Sequence, residues 1–227
     1  TNLNQQTEHQ VRKVIIGTPS HDGKVDVWFA NSLVNTIRMS YEKEVTIVPI
    51  YMAYDSLVQR ARNDIVKLAI EEDFDDLIFI DADQEWDPAW VFKLLDYSAD
   101  VVAGTVVKKS DAPAFNIKAL PEGMQLNNGL IEVECVGTGF MRISKNALKQ
   151  VWDASEEYQN EGKTCRMVFD IKVMDGQLVS EDNVFCRKWH DLGGKIFIDP
   201  TMTCNHIGVK KYSGNFMEYI KAIGAIA

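Results

Sequence analysis

The chain has 227 residues, 46% of them hydrophobic and 25% charged, with a formal net charge of -9 at pH 7. That supplies enough apolar material for one sizeable core, and the acidic balance argues against a generally basic nucleic-acid binder. No internal repeat or low-complexity tract divides the chain. No apolar run is long enough to cross a bilayer, and nothing resembles a signal peptide. The cysteines Cys135, Cys165, Cys186 and Cys204 show neither a CxxC pair nor a zinc-knuckle spacing. Their apolar neighbours point to buried, reduced thiols and a cytoplasmic location.

In chain order, residues 1–10 are polar and read as a flexible lead-in, with 11–227 forming a single domain. Val14-Ile15-Ile16 marks a buried strand within 11–17, followed by a turn-rich loop from Thr18 to Gly23. Val25, Phe29, Leu33 and Ile37 recur at helical spacing over 25–39. A second strand covers 45–50, and Asp55 or Ser56 is expected to cap a helix with Leu57, Ala61, Ile65 and Leu68 on its apolar stripe. Leu77 to Ile80 is a continuous apolar run, as in a central strand covered on both faces. It breaks into Asp81-Ala82-Asp83. Asp87-Pro88 starts a helix, and 99–107 is a fourth strand. The first half therefore reads β-α-β-α-β-α-β, a parallel Rossmann-like sheet.

The second half changes character. Short strands at 114–118 and 130–133 flank the turn signals Pro121-Glu122-Gly123 and Asn127-Asn128-Gly129. Residues 134–143 are extended and carry Gly137-Thr138-Gly139. Ser144 caps a helix to about Asp153, and 162–179 is a polar hairpin or mobile loop. Ser180 caps a helix with Glu181-Asp182 in its first turn. Strands follow at 195–198 and 203–206, and an amphipathic helix at 215–223 closes the chain.

The chemistry-bearing residues gather at strand ends and helix starts, where open α/β sheets bind ligands. Asp81 and Asp83 can offer oxygens to a hard divalent cation, although an acidic turn has the same spacing. Arg62 sits beside the apolar stripe of its helix and can take a phosphate bidentately, but by itself reads as a solvated arginine. Asp182 is a candidate general base, with helix capping as the competing explanation. His206, before Ile207-Gly208, suits a metal shared with a carboxylate. Lys108-Lys109 and Lys210-Lys211 read as solvated lysines.

Taken in order, these residues match a family. Thr18-Pro19, Ala61-Arg62-Asn63, Phe79-Ile80-Asp81-Ala82-Asp83, Val101-Val102-Ala103-Gly104 and Gly137-Thr138-Gly139-Phe140 are followed by Glu181-Asp182 ahead of Phe185-Cys186, then His206 and Gly208. The series resembles small GT-A glycosyltransferases, most of all the family-2-type enzymes of bacteriophages and large viruses, over residues 11–214. Each motif is weak alone; their order and placement make the set specific. The resemblance implies a single GT-A domain of the α/β class. Its Rossmann-like, mostly parallel sheet would be flanked by helices, with a small antiparallel element in the second half. It also implies transfer of a hexose or pentose from a nucleoside-diphosphate sugar, a UDP-sugar foremost, with Mn²⁺ or Mg²⁺, in the host cytoplasm if the protein is viral.

Carried over by position, Asp83 would be the main metal carboxylate and His206 the distal ligand, with Asp81 near the donor ribose and the metal. Thr18, Pro19, Arg62 and Asn63 would contact the nucleotide. Gly137, Thr138 and Gly139 would line the donor-sugar or acceptor side, and Asp182 would be the base, giving inversion. Tyr51 could stack on uracil or serve as a core tyrosine, since Tyr51-Met52-Ala53-Tyr54 stands where relatives vary. Val107-Lys108-Lys109 lacks an acidic or aromatic signature, which leaves the sugar contacts open. The loop at 162–179 is placed as an acceptor-side lid.

The acceptor is either a glycan or a hydroxymethylated pyrimidine in phage DNA. Lys108, Lys109, Lys118, Lys145, Lys149, Lys210 and Lys211 could form a basic face for the latter. Two alternatives remain: a sugar nucleotidyltransferase, poorly supported by the single Gly and Lys after strand one, and a non-catalytic nucleotide- or carbohydrate-binding module.

Overall fold

The computed structural model describes residues 11–72, 74–208 and 210–226. The lead-in at 1–10 therefore lies outside the described residues. The chain begins with strand β1 (Arg12–Ser20), helix α1 (Val27–Glu42), strand β2 (Val45–Ala53), helix α2 (Val58–Glu71) and strand β3 (Asp76–Ile80). A two-residue strand β4 (Gln84–Glu85), helix α3 (Pro88–Asp96) and strand β5 (Val101–Val106) complete the first half. Short strands β6 (Ile117–Ala119) and β7 (Leu126–Asn127) lead to β8 (Leu130–Val136) and β9 (Phe140–Ser144). Helix α4 (Lys145–Ala154) precedes two hairpins, β10 (Glu157–Asn160) with β11 (Lys163–Arg166), and β12 (Lys172–Met174) with β13 (Gln177–Val179). Helix α5 (Glu181–Asp191), strand β14 (Ile196–Ile207), strand β15 (Lys211–Tyr212) and helix α6 (Phe216–Ala222) close the chain.

The main sheet has the order β2-β1-β3-β9-β5-β14-β8-β6. Strands β2, β1 and β3 pair in parallel, as do β5 and β14; β9 and β8 are antiparallel to their neighbours. The expected α/β class with antiparallel strands in the second half is present. One detail differs: β9 is inserted between β3 and β5, so the first four long strands are not one uninterrupted parallel set. Alternation along β3 sends Leu77 and Phe79 into one core and Ile78 and Ile80 into the other. The first core is covered by α2, α4, α5 and α6, the second by α1 and α3. All five β3 residues are buried, as the continuous apolar run requires.

Asp76 is the polar exception in that strand. It is fully buried and accepts from Arg12 Nε at 2.7 Å and Arg142 Nε at 2.5 Å.

Several expected boundaries shift for local reasons. Thr18, Pro19 and Ser20 belong to β1 rather than to a loop, in register with Tyr51, Met52 and Ala53. Pairing with β3 stops at Gly17, so from there β1 has one neighbour, a setting that tolerates the missing N–H of Pro19. Neither Asp55 nor Ser56 is the N-cap of α2; that residue is Leu57, without a side-chain cap. Asp55 instead accepts from the Leu57 amide and from both Nε and Nη2 of Arg60, all at 2.8 Å. Residues 134–143, expected as one extended segment, are split between β8 and β9. Gly137-Thr138-Gly139 carries the chain across the ends of β14 and β5. The two strands expected at 195–198 and 203–206 are one, β14, whose register against β5 shifts between Ile198 and Thr203. The segment 162–179, expected as one hairpin or loop, contributes β11 to one hairpin and forms a second from β12 and β13, with 167–171 connecting them.

The caps of α3 and α4 agree with the sequence. Asp87 accepts from Ala89 N with Pro88 next to it, and Ser144 accepts from Ala147 N. All four cysteines are buried and free. Among the described residues, no helix is long and apolar enough to cross a membrane.

Candidate active site at the strand ends

The chain leaves β3 in a tight turn, with Gln84 N donating to Asp81 O at 3.1 Å. Two further bonds pin that turn: Asp26 N to Ala82 O at 2.9 Å and Ile207 N to Asp83 O at 2.8 Å. Directly after it, β4 pairs antiparallel with the far end of β14, setting Gln84 opposite His206 and Glu85 opposite Asn205. This pairing brings together residues that are 123 positions apart. His206 Nε2 lies 3.2 Å from Asp83 Oδ2, and its Nδ1 lies 3.0 Å from the Val107 carbonyl oxygen. With Nδ1–H donating to that carbonyl, Nε2 donates to the carboxylate when it carries a proton and offers its lone pair to a shared cation when it does not.

The same Asp83 oxygen also meets Lys109, whose Nζ lies 2.5 Å away. Burial pushes the Asp83 carboxyl up, but the hydrogen bonds and charges of His206 and Lys109 outweigh it and hold its pKa down to about 2.

Asp81 faces the other way. Its Oδ1 accepts from Arg62 Nη2 at 2.9 Å. Arg62 is not the solvated helix residue its position suggested: it is 3% exposed, with its guanidinium 5.3 Å from the centre of the Phe79 ring. Its Nε is 3.5 Å from Glu181 Oε1, within ion-pair reach but outside hydrogen-bond geometry. Nε and Nη1 have no hydrogen-bond partner among the described residues. Buried donors of this kind are costly to leave open. Gly139 completes this corner: its carbonyl accepts from Asp81 N at 3.2 Å, and a Cβ there would stand 3.2 Å from Asp81 Oδ2.

Asp182, in the first turn of α5, is 7% exposed. Ser180 is the N-cap residue but makes no side-chain cap bond, because its hydroxyl donates to Asp182 Oδ1. Asp182 Oδ1 also accepts from Asn183 N at 2.8 Å, and Oδ2 from Asn116 Nδ2 at 2.9 Å. Asn116 had no distinguishing signal in the sequence. The carboxylate is thus oriented from three sides and still has lone-pair capacity toward the crevice.

The crevice has two lobes. The larger, about 830 Å³, is lined by Pro19, Asp55, Arg62, Asp81, Asp83 and His206 among others. The smaller, about 180 Å³, is lined by Asn116, Gly137, Thr138, Gly139, Glu181 and Asp182. Arg62, Asp81 and His206 border both.

Three residues assigned by resemblance to nucleotide contact lie elsewhere. Asn63 is fully buried and clamps the Phe169 backbone, donating to its carbonyl and accepting from its amide, both at 2.8 Å. Thr18 is fully buried, with no partner for its hydroxyl among the described residues. Tyr51 is half exposed on the edge strand β2 and is not one of the residues lining either lobe. The lysines expected to form a basic face are largely matched by carboxylates: Lys109 with Asp83, Lys118 with Glu134, Lys210 with Asp111 and Lys211 with Glu85.

Among the described residues, no group of three or more His, Cys, Asp and Glu side chains is arranged to hold a metal ion. The Asp83–His206 pair nevertheless fits a hard divalent cation. Such ions are commonly held by one or two protein ligands, with substrate phosphates and water supplying the rest. The ammonium already bound to Asp83 shows that the position accepts positive charge.

No protein-family model matches the chain, and no curated protein matches it. Solved structures do. A197 from STIV superposes with a TM-score of 0.56 at 18% identity, over 87% of this chain and 86% of that one. Two weaker likenesses carry no argument. One is S. aureus TarS 1-349 in complex with UDP-GlcNAc (TM-score 0.47, 13% identity, 91% of this chain and 60% of that one). The other is a glycosyltransferase involved in glycosylation of the major capsid of PBCV-1 (0.35, 15%, 63% and 65%). The first likeness establishes a shared fold and nothing beyond it.

Proposed function

We propose that the protein is a metal-dependent GT-A glycosyltransferase that moves a sugar from a nucleoside-diphosphate sugar, a UDP-sugar foremost, to an acceptor hydroxyl. One observation carries this reading. Asp83 and His206 converge 3.2 Å apart at the mouth of a crevice that also holds a buried arginine with open donors and a separately oriented carboxylate. The larger lobe has the volume expected of a nucleotide-sized ligand.

In this reading Asp83 and His206 hold Mn²⁺ or Mg²⁺, which supplies Lewis-acid neutralisation of the charge that builds on the departing diphosphate. Arg62, which borders both lobes, presents its guanidinium to a phosphate oxygen, and Asp81 keeps that guanidinium aligned. Asp182 takes the proton of the attacking hydroxyl as the new bond to the anomeric carbon forms and the bond to the diphosphate breaks. Displacement from the opposite face with one base inverts the anomeric centre. The small lobe, floored by Gly137-Thr138-Gly139, is where sugar and acceptor meet.

A glycan acceptor is favoured over modified DNA, because four of the lysines that could have tracked phosphates are already engaged by carboxylates. With Mn²⁺ present, the purified protein should slowly hydrolyse one nucleotide sugar from a broad panel, and Asp83→Ala should abolish that hydrolysis. No binding and no hydrolysis across the panel would sink the proposal.

A further inference from the structure

Lys109 already holds the carboxylate oxygen that a divalent ion would need. Its Nζ sits 2.5 Å from Asp83 Oδ2, the oxygen that also faces His206 Nε2 at 3.2 Å. An ion held by that oxygen and that nitrogen would need the oxygen lone pairs that the ammonium now uses. Two positive charges would then crowd one carboxylate oxygen, so the ammonium and the metal exclude one another. We propose that Lys109 is a built-in competitor for the cation: its ammonium closes the Asp83–His206 site in the absence of metal, and a divalent ion enters by displacing it. This rests on the reading of Asp83 and His206 as the metal ligands.

The surroundings are built for that exchange. The backbone leading into Lys109 is anchored, with Lys108 N donating to Ala114 O at 2.7 Å and Val107 bridged to Phe115, and Ser110 N after it donates to Lys108 O at 2.8 Å. Displacement is therefore confined to the side chain, which is 38% exposed and has solvent to swing into. Gly208, two residues after His206, leaves the track in which the lysine stem lies. A Cβ at Gly208 would stand 3.3 Å from Lys109 Cδ and 3.5 Å from Cε. The glycine next to the distal ligand thus accommodates the competitor.

The test is a titration with Mn²⁺, first alone and then with UDP added, following free Mn²⁺ by electron paramagnetic resonance, with circular dichroism confirming that each variant is folded. Lys109→Met should bind Mn²⁺ about tenfold more tightly than the wild type, equivalent to ~1.4 kcal/mol. Gly208→Ala, which crowds the lysine stem, should tighten binding when Lys109 is present and change little in the Lys109→Met background. Equal or weaker binding by Lys109→Met overturns the competitor role and leaves the metal reading intact. Absence of Mn²⁺ binding by wild type and Lys109→Met alike, with UDP present as well as without it, overturns both.

Discussion

Residues that look alike in sequence do unlike work here. Arg62 and Asn63 are consecutive, yet Arg62 reaches the crevice and Asn63 reaches back to Phe169. Asn63→Ala would remove both ends of that clamp and leave the Phe169 backbone groups unpaired in a dry environment. A loss of about 2 kcal/mol is expected, read as a lower midpoint in urea denaturation. Arg62→Lys keeps the charge but loses the planar fork that meets Asp81 and, in the proposed function, a phosphate. It should weaken donor binding by at least about tenfold in calorimetry, with the thermal midpoint changing much less. Binding that is unchanged would remove Arg62 from the site.

At the scale of elements, β14 decides where the site lies. Its register shift between Ile198 and Thr203 coincides with a buried polar knot around Asp199. That carboxylate accepts from Lys93 Nζ at 2.6 Å, Tyr97 OH at 2.8 Å and Thr201 Oγ1 at 2.6 Å. Beyond the shift the strand runs on to meet β4, which brings His206 to Asp83. At the opposite end of β3, Asp76 is held by two arginines. Arg142→Met would strip the more buried of them and leave the carboxylate with Arg12 alone. Losing one partner of a buried ion pair should cost about 3 kcal/mol, checked by chemical denaturation; a cost below 1 kcal/mol would mean that Arg12 alone compensates the charge.

For the molecule as a whole, acid sensitivity follows from two carboxylates. Asp83 is held down to about 2 by His206 and Lys109 against its burial. Asp199 is also lowered: burial raises it, but Lys93, Thr201 and Tyr97 outweigh that. Each is more acidic folded than unfolded, where an aspartate titrates near about 3.9. Their stabilising contribution is therefore complete above that value and is lost as pH falls through each folded-state value, about 2 for Asp83. Thermal midpoints should drop steeply below about pH 4, and Asp199→Asn should flatten that drop while lowering the midpoint at neutral pH. At the same scale, a hydroxymethylated duplex should give no salt-sensitive gel shift, given the paired lysines. A shift that weakens steeply with salt would restore DNA as the acceptor.

What the sequence determined is local. The apolar run at Leu77–Ile80 required a strand buried on both faces, and Asp87-Pro88 and Ser144 set helix starts through their own side chains. The alternation of strands and helices in the first half gave the α/β class. These follow because period, capping and turn chemistry act over a few residues. Tertiary structure decided the rest. The insertion of β9 between β3 and β5 and the long reach of β14 depend on pairings between distant segments. So do the burial of Arg62, the diversion of Asn63 to Phe169 and the arrival of Lys109 at Asp83. Spacing along a helix shows which face a side chain takes, but not what that face will meet. The Asp81–Asp83 turn was visible as a pair of carboxylates, and only the fold gave the two different partners, a buried guanidinium for one and an imidazole with an ammonium for the other.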